Sequence, residues 1–326
     1  MFNWKDRNVF VTGGNGFVGS WLVSDLVKKE ANVTCIVRDP VKGSNLEFIG
    51  AADQVNTVKG TIEDYNAVEK AMKETGAEVC FHLAAQAIVG VANKSPLPTF
   101  ETNIKGTWNV LEACRQLGVK RTIVASSDKA YGEHEKLPYK EDFCLNGLTP
   151  YEASKSCADL LARAYAKTYG LPVAVTRCGN IYGGGDLNWN RIIPGTIKAV
   201  LNNESPIIRS DGTPIRDYIY VLDVVAAYLV AAEQLDKEEV AGKAFNFGTE
   251  QPLSVLELAK RIIAAAGKNL EPQILNEAKN ELQEQYLDWA KAKKVLGWQP
   301  QFGLDDGLRE TIQWYREFFS KHSEHK

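Results

Sequence analysis

Residues 8–20 read NVFVTGGNGFVGS, in which a β-branched segment runs into a glycine-rich turn and then into the start of an amphipathic segment. Gly13, Gly16 and Gly19 are spaced G-x-x-G-x-x-G. Glycine at the first two positions lets backbone amides approach a pyrophosphate, and Gly19 allows the following helix to pack closely on the strands. The helix N-terminus would direct free N–H groups and a partial positive charge at the phosphates. The stretch therefore predicts a dinucleotide site on a strand–turn–helix unit.

Strand-like and helix-like segments alternate through residues 1–178. This alternation indicates a parallel sheet with helices on both faces, and right-handed crossovers then give the doubly wound Rossmann arrangement of an α/β protein. The predicted strands are 8–12, 33–37, 55–59, 79–83, 121–126 and 173–177, and the predicted helices are 18–28, 65–74, 102–117 and 150–169.

The pattern changes after residue 178, and we predict a loop over the Gly- and Asn-rich residues 179–190. We expect a Rossmann domain of residues 1–178 with about 216–247, and a smaller C-terminal α/β substrate-binding lobe of residues 179–215 and 248–326 over the carboxyl edge of the sheet. Further helices are predicted at 191–202, 223–234, 254–266 with Ser254 as the N-cap, 290–295 and 305–319, and further strands at 207–209, 218–221 and 244–247.

The composition excludes several classes of function. With 326 residues and a net charge of −3, the chain has no basic field for nucleic acid or an anionic membrane. The apolar run 218–232 contains Asp223 and is too short to span a bilayer, and no signal-peptide pattern is present. The six cysteines are scattered without a CxxC pair or a Cys/His cluster, so we expect buried free thiols and no metal. We expect a cytoplasmic protein.

Asp39 and Arg38 give opposing indications about the dinucleotide. Asp39 lies about twenty residues beyond the glycine loop, where a carboxylate accepts hydrogen bonds from the adenosine ribose and repels a 2′-phosphate, which favours NAD. Arg38 could instead pair with a 2′-phosphate, which would favour NADP. We expect NAD, with NADP as the alternative.

Small and apolar residues after the third and fourth predicted strands complete the expected cofactor groove. Thr61 and Ile62 could flank the adenine. Ala84, Ala85 and Gln86 would run along the cofactor, since small side chains let the backbone come close, although simple packing explains the two alanines equally well.

Tyr151 and Lys155 in YEASK stand four apart and therefore share one face of a predicted helix. A free phenol has a pKa of about 10 and is a poor base at neutral pH. A nearby ammonium and a bound nicotinamide cation favour the phenolate, so we expect the pKa of Tyr151 to move down. Ser126 and Ser127 end the fifth predicted strand, where a hydroxyl could share a proton with Tyr151 and a substrate alcohol. The combination points to hydride chemistry on a hydroxyl-bearing substrate.

Characteristic motifs run through the whole chain: TGGNGFVGSWL at 12–22, FHLAAQ at 81–86, TNIKGTWNVLEACR at 102–115, SSDKAYG at 126–132, YEASK at 151–155, RCGNIYGGGD at 177–186, RIIP at 191–194, IRDYIYVLDV at 215–224, FNFG at 245–248 and LGWQPQFGLDDGLRETIQWY at 296–315. These motifs resemble the extended short-chain dehydrogenase/reductase superfamily, in its sugar-nucleotide epimerase/dehydratase branch. The resemblance is closest to CDP-glucose 4,6-dehydratases, although the segment IRDYIYV at 215–221 is more similar to enzymes of dTDP-, UDP- and GDP-sugars and leaves the nucleotide base open.

The resemblance implies a role for each matching residue. Ser127, Tyr151 and Lys155 would serve oxidation at C4 of the sugar, Asp128 would protonate the departing C6 oxygen, and Lys129 would remove the C5 proton. The implied substrate contacts are Gln86, Ser127, Asn180, Arg191, Ile193 and Arg216, with Arg216 on the diphosphate. The implied cofactor contacts are Thr12, Gly13, Asn15, Gly16, Phe17, Val18, Gly19, Arg38, Asp39, Thr61, Ile62, Leu83, Ala84, Ala85, Gln86, Asn103, Tyr151 and Lys155.

Two alternatives to a dehydratase of nucleoside-diphosphate hexoses remain open. A 4-epimerase needs only the Ser, Tyr and Lys groups, so the dipeptide Asp128-Lys129 decides between the two enzymes. A nucleotide-sensing protein of the same fold would often lack the Tyr/Lys pair that this chain retains. The resemblance also implies a homodimer through the helices at 102–117 and 150–169. The candidate interface residues are Trp108, Leu111, Leu160 and Leu161, which could equally belong to the core.

Overall fold

The structure is a computed structural model that describes residues 2–39, 43–277 and 282–322. The strands are β1 Asn8–Thr12, β2 Asn32–Val37, β3 Asn56–Lys59, β4 Val79–His82, β5 Arg121–Ala125, β6 Val173–Cys178, β7 Asn180–Tyr182, β8 Ile207–Ile208, β9 Ile215–Arg216, β10 Tyr218–Tyr220, β11 Ala244–Phe247, β12 Leu253–Ser254, β13 Gln273–Ile274 and β14 Glu284–Gln285. The helices are α1 Phe17–Lys28, α2 Asn45–Ile49, α3 Tyr65–Thr75, α4 Val89–Lys94, α5 Pro96–Phe100, α6 Gly106–Leu117, α7 Pro150–Tyr169, α8 Ile192–Leu201, α9 Val221–Glu233, α10 Val255–Ala265, α11 Ala290–Leu296 and α12 Leu304–Lys321.

Seven parallel strands form the central sheet in the order β11-β6-β5-β4-β1-β2-β3. The strand order reverses at β1, which pairs with β2 on one side and with β4 on the other. In open sheets of this kind, ligands bind in the crevice beyond the carboxyl ends of the strands at the point of reversal. The predicted Rossmann fold is therefore confirmed, and the glycine loop lies at this crevice.

Helices cover the two faces of the sheet with separate apolar cores. Val9 and Val11 of β1 pack into one core, whereas Phe10 between them packs into the other, because successive strand side chains point to opposite faces. Leu22 of α1 is fully buried on the first side and Leu111 of α6 on the second. Burial of each such side chain contributes about 1.5–3 kcal/mol to folding, before losses of conformational entropy.

Short sheets and three helices build the C-terminal part of the chain beside the cleft. β10 pairs with β7, β9 lies between β12 and β14, and β8 pairs with β13. Apolar side chains of α8, α10 and α12 form a third core, which includes Ile197, Ile262 and Ile312. Ser254 caps α10 as predicted, since its hydroxyl accepts from Glu257 N at 3.2 Å while the Glu257 carboxylate accepts from Ser254 N at 2.9 Å.

Three expectations about this scaffold need correction. The predicted loop 179–190 contains β7, because its pairing with β10 depends on a distant segment and overrides the local Gly/Asn composition. α9 begins at Val221, so the predicted strand ends at Tyr220. Cys144 is exposed and Cys157 half-buried, whereas the other four thiols are buried as expected. Among the described residues, no helix is both long and apolar enough to cross a membrane.

Candidate active site

A cleft of about 1610 Å³ opens at the carboxyl ends of β1, β2, β4 and β5 and extends toward α8 and β9. It brings together the glycine loop, the turn after β5, the start of α7 and side chains of the C-terminal part. The predicted site residues that line the cleft are Gly13, Asn15, Gly16, Phe17, Val18, Gly19, Arg38, Asp39, Thr61, Ile62, Leu83, Ala84, Ala85, Ser127, Asp128, Lys129, Tyr151, Asn180, Arg191, Ile193 and Arg216.

The glycine loop leaves room and donors for a phosphate. Gly13 has φ +73°, and a Cβ there would lie only 2.7 Å from the backbone nitrogen of Ala84. A Cβ on Gly19 would collide with the carbonyl oxygen of Gly13. α1 then begins at Phe17 with no side chain capping its first amides, so these donors are free at the cleft. The loop therefore fits the diphosphate of a dinucleotide, as the spacing of the glycines predicts.

Arg38 and Asp39 follow β2 and line the cleft. The Arg38 Nε donates to the Asp39 Oδ2 at 2.9 Å, and both side chains are largely exposed. An exposed ion pair is worth at most about 1 kcal/mol, so either group can turn to a ligand at little cost. The geometry is compatible with an adenosine ribose on the carboxylate, and the guanidinium stands beside it.

Thr12 supports the cleft from behind its wall. Its Oγ1 accepts a hydrogen bond from Ala84 N at 3.1 Å and lies 2.8 Å from Nδ1 of His82. The other ring nitrogen of His82 lies 2.9 Å from Oγ1 of Thr107. Burial, with the charge of Lys155 as a second cause, lowers the pKa of His82 to about 3, so the imidazole is neutral at pH 7. Sequence reasoning missed His82, although it stands inside the motif FHLAAQ.

Asn103 and Gln86 also stand behind the wall. The Asn103 Oδ1 accepts from Gln86 N at 2.7 Å, and its Nδ2 donates to Gln86 O at 3.1 Å and to Ser154 Oγ at 2.9 Å. A π-helical turn at Glu101–Lys105, a local widening common at functional sites, turns Asn103 inward. The amide thus fastens the segment after β4 to α7, and the lining of the cleft contains neither Asn103 nor Gln86 among the described residues.

Tyr151 and Lys155 are held by a well-defined start of α7. Pro150 occupies the first turn, and the Glu152 carboxylate reaches back to accept from Thr149 N at 3.0 Å. Both Tyr151 and Lys155 are buried, one helical turn apart. The predicted helix and the shared face are therefore present.

The pKa of Tyr151 was expected to fall beside an ammonium and a bound nicotinamide cation, and in the protein without a cofactor it lies above that of a free phenol. Burial raises the pKa of this phenol to about 12, and Asp128 adds to the rise. A hydrogen bond with Ser127 and the charge of Arg191 act in the opposite direction without overcoming burial. Activation of the phenol therefore depends on charge that a bound ligand brings.

Lys155 lies behind the lining of the cleft and is bonded to the sheet. Its Nζ donates to the carbonyl oxygen of Ala125 at 2.8 Å, while Ser126 Oγ donates to the Lys155 carbonyl at 3.2 Å. Burial lowers the pKa of Lys155 to about 8, partly opposed by Cys178. α7 and the end of β5 are thereby fastened together at the point where Ser127 enters the cleft.

Ser127 caps a 3₁₀ turn, Asp128–Tyr131, which carries the next two candidate groups. Its Oγ accepts from Lys129 N at 3.2 Å and donates to Asp128 Oδ1 at 3.0 Å. The Lys129 Nζ donates to Asp128 Oδ2 at 3.4 Å. Burial lowers the pKa of Lys129, the direction that a lysine base requires, and Arg216 contributes to the lowering while Asp128 opposes it.

Side chains from the C-terminal part close the far end of the cleft. Arg191 donates from Nη1 to Asp186 Oδ2 at 3.0 Å. Arg216 is buried and donates to the carbonyl oxygens of Ile215 and Leu282 at 2.8 and 2.6 Å. The neighbouring Asp217 is buried as well, so the two residues do not form an ion pair on the surface. The Asp217 carboxylate is buried and accepts from Thr249.

Comparisons with known proteins agree with this geometry. The sequence model of the NAD dependent epimerase/dehydratase family matches residues 9–248. CDP-glucose 4,6-dehydratase of Salmonella typhimurium is 32% identical over 96% of this chain and 91% of its own length. The protein belongs to the NAD-dependent epimerase/dehydratase family, within the short-chain dehydrogenase/reductase superfamily, and the resemblance seen in its motifs is confirmed.

Solved structures include both kinds of enzyme in this family. UDP-glucose 4-epimerase of Thermotoga maritima, solved with UDP-glucose, has a TM-score of 0.88 and 31% identity over 96% of this chain and 100% of the other. dTDP-glucose 4,6-dehydratase of Bacillus anthracis, solved with NAD, has a TM-score of 0.85 and 28% identity over 98% of this chain and 100% of the other. The family is thus established, and these relatives include dehydratases and epimerases of nucleotide sugars.

Proposed function

We propose that the protein is a nucleoside-diphosphate-hexose 4,6-dehydratase, a lyase that forms a 4-keto-6-deoxy sugar. The single observation that carries this proposal is that Asp128 and Lys129 both line the cleft beside Ser127 and Tyr151. An elimination needs a proton donor and a proton acceptor in addition to the groups that oxidise C4, and this turn supplies both. The pKa of Lys129, lowered by burial, supports its use as the acceptor.

We propose NAD as the cofactor, retained and recycled between turnovers. The open amides at the start of α1 suit its diphosphate, and the Asp39 carboxylate suits its adenosine ribose. NADP is the alternative through Arg38. When bound, the nicotinamide accepts a hydride from the sugar and returns it.

Oxidation at C4 is assigned to Tyr151. The phenolate takes the proton of the C4 hydroxyl as the hydride leaves the same carbon, which makes C4 a ketone. Ser127 lines the cleft beside the phenol and can orient the alcohol. Because burial raises the pKa of the free phenol, the positive charge of the bound cofactor is needed to form the base.

Elimination is assigned to Lys129 and Asp128. The ketone acidifies the C5 proton, which the neutral amine of Lys129 removes. The electron pair of the C5–H bond forms a C5–C6 double bond as the C6–O bond breaks, and Asp128 protonates the departing oxygen to release water. Return of the hydride to C6 and of a proton to C5 completes the 4-keto-6-deoxy sugar without net oxidation.

The substrate is proposed to lie along the C-terminal side of the cleft, in a lobe of residues 179–215 and 248–326. Arg216 and Arg191 provide the charge for a diphosphate there, and Asn180 and Ile193 line the same wall. Similarity to the CDP-glucose 4,6-dehydratase favours a cytidine nucleotide as the substrate. Other relatives are named as dehydratases of UDP-glucose and dTDP-glucose. CDP-glucose is therefore the first substrate to test.

A cytoplasmic homodimer is proposed through α6 and α7. Trp108 is 43% and Leu160 53% exposed, which supports their use in an interface. Leu111 belongs instead to the core, and Leu161 packs against the same core.

The second candidate function is a nucleoside-diphosphate-sugar 4-epimerase. The similarity to UDP-glucose 4-epimerase of Thermotoga maritima favours it, and Ser127, Tyr151 and Lys155 would suffice for that reaction. Asp128 and Lys129 would then have no proton-transfer role.

One experiment separates the two. The purified protein is denatured to identify the released dinucleotide, and native protein is incubated with CDP-, UDP-, GDP- and dTDP-glucose under mass spectrometry. Loss of one water with an alkali-absorbing keto product supports the dehydratase. Formation of a stereoisomer of unchanged mass from one of these sugars would instead identify the protein as an epimerase.

A further inference from the structure

Gln285 is a buried polar residue outside the sequence motifs, and its side chain reaches the turn that carries Asp128 and Lys129. The Lys129 Nζ donates to its Oε1, and its Nε2 donates to the carbonyl oxygen of Asp128 at 3.2 Å. A single amide group therefore holds both the ammonium of Lys129 and the backbone beside the Asp128 carboxylate.

The strand that carries Gln285 is fixed on both sides. β14 pairs with β9, where Gln285 lies opposite Arg216. On its other side, Tyr139 N donates to Tyr286 O at 2.9 Å and Asp288 N donates to Tyr139 O at 3.0 Å. The amide thus belongs to the C-terminal part of the chain, yet it holds a side chain of the turn after β5.

The charges around Lys129 come from three elements. Asp128 lies on its own turn, Arg216 on β9 and Glu152 on α7, and the phenol of Tyr151 lines the same cleft. Asp128 and Glu152 raise the pKa of Lys129, whereas Arg216 lowers it. Gln285 is neutral, so it can fix the position of Nζ without adding to them.

We propose that Gln285 is a positioning residue for proton abstraction, which fixes the Lys129 Nζ beside the Asp128 carboxylate, 3.4 Å from its Oδ2. The inference rests on the proposed dehydratase activity. A neutral amine that donates one N–H to Oε1 keeps its lone pair for the C5 proton. The same contact keeps base and acid from closing into a tighter ion pair, in which both would be inactive.

The test compares Gln285→Glu and Gln285→Leu with the matched control Gln283→Leu, whose side chain is exposed on the same segment. The pH profile of kcat for keto-sugar formation is measured. Gln285→Glu places a negative charge beside the Lys129 ammonium, so the pKa of Lys129 rises. The acidic limb of the kcat profile, where Lys129 loses its proton, then moves to higher pH. Gln285→Leu removes an acceptor from the ammonium, so the acidic limb moves to lower pH. Its maximal kcat should fall about 10- to 100-fold because the base is misplaced, with KM changed less.

A second readout isolates the step. Oxidation of C4, followed as reduced cofactor in a single turnover, should keep its rate in Gln285→Leu, while exchange of the C5 proton with D₂O should slow by the same factor as kcat. Equal pH profiles for both Gln285 variants, or the same losses in Gln283→Leu, would overturn the positioning role. A wild-type protein that forms no keto sugar from any nucleoside-diphosphate hexose would instead overturn the proposed function itself.

Discussion

The Nζ of Lys129 lies 3.4 Å from Oδ2 of Asp128, within one 3₁₀ turn whose cap is Ser127. The proposed acid and base for elimination are thus adjacent in sequence and share one short turn. Burial favours the neutral form of the lysine, while the carboxylate favours its charged form. The balance between these two effects governs how readily Lys129 can accept a proton next to the Asp128 carboxyl group.

Replacement of Lys129 should separate the two halves of the reaction. Lys129→Met removes the proposed base, so formation of the 4-keto-6-deoxy sugar should fall about 10²- to 10⁴-fold, the usual contribution of a positioned proton acceptor. Reduced cofactor should still form in a single turnover, because Tyr151 is unchanged. Lys136→Met, at an exposed lysine just beyond the turn, is the control. Equal loss of cofactor reduction and of elimination in Lys129→Met would contradict the assigned role.

Removal of the Tyr151 hydroxyl should abolish the first step. We expect Tyr151→Phe to lower keto-sugar formation about 10²- to 10⁴-fold and to prevent transient cofactor reduction, since no group then takes the C4 hydroxyl proton. Tyr169→Phe alters an exposed tyrosine on the same helix and should keep full activity. Stopped-flow absorbance of the reduced cofactor measures both. Unchanged turnover in Tyr151→Phe would refute the catalytic account.

A side chain at Gly13 should remove the cofactor site. Gly13→Ala combines a positive φ with a Cβ 2.7 Å from Ala84 N, so we expect loss of dinucleotide binding and a cost of about 1–3 kcal/mol in folding. Gly50→Ala, at φ +77° with open space around the added Cβ, carries the backbone strain alone. It should lower stability by about 1 kcal/mol and keep binding. Titration calorimetry measures dinucleotide binding by the two variants, and chemical denaturation measures their stability. Equal dinucleotide affinities of Gly13→Ala and Gly50→Ala would contradict a role of the glycine loop in cofactor binding.

His82 should make the protein sensitive to acid. Its pKa is about 3 when folded and about 6.5 when unfolded, so the unfolded state binds more protons between these values. The stability that depends on neutral His82 is complete above about pH 6.5 and is lost as the pH falls toward 3, by up to about 1.4 kcal/mol per pH unit.

The matched variants for this prediction are His82→Gln and His134→Gln. Between pH 4 and 6, His82→Gln should reduce the slope of the unfolding free energy against pH by an amount that corresponds to up to about one bound proton. The same variant is expected to lower stability at pH 7. His134→Gln, at a half-exposed ring, is the control for loss of a histidine. Urea unfolding at a series of pH values gives the comparison, and parallel curves for wild type and His82→Gln would contradict it.

Asp39 and Arg38 should set the choice of dinucleotide in opposite directions. Asp39→Ala removes an acceptor for the ribose hydroxyls and a repulsive charge, so NAD affinity should fall while NADP affinity rises. Arg38→Ala should leave NAD affinity within about two-fold, because the exposed pair contributes at most about 1 kcal/mol. Competition binding with both dinucleotides measures the ratio. An unchanged ratio in Asp39→Ala would remove this residue from the site.

Local sequence was sufficient for the features that depend on short spacings. The strand–turn–helix unit at residues 8–28 and the shared face of Tyr151 and Lys155 follow from the intrinsic periods of strands and helices and from steric limits on non-glycine residues. Strand and helix alternation likewise determined the parallel sheet. These features were predictable because each is specified within one or two elements.

Only the tertiary structure decided which residues reach the cleft and which support it. The polar groups of Asn103 and Thr12 form hydrogen bonds with the backbone and with neighbouring side chains, so these residues support the wall of the cleft from behind. Gln285 reaches Lys129 across 156 positions of sequence, and β7 exists only through its pairing with β10. Burial also raises the pKa of Tyr151 in the protein without a cofactor, an effect that the spacing of Tyr151 and Lys155 does not reveal. Such contacts and dielectric effects depend on how distant segments pack, which no local pattern of residues encodes.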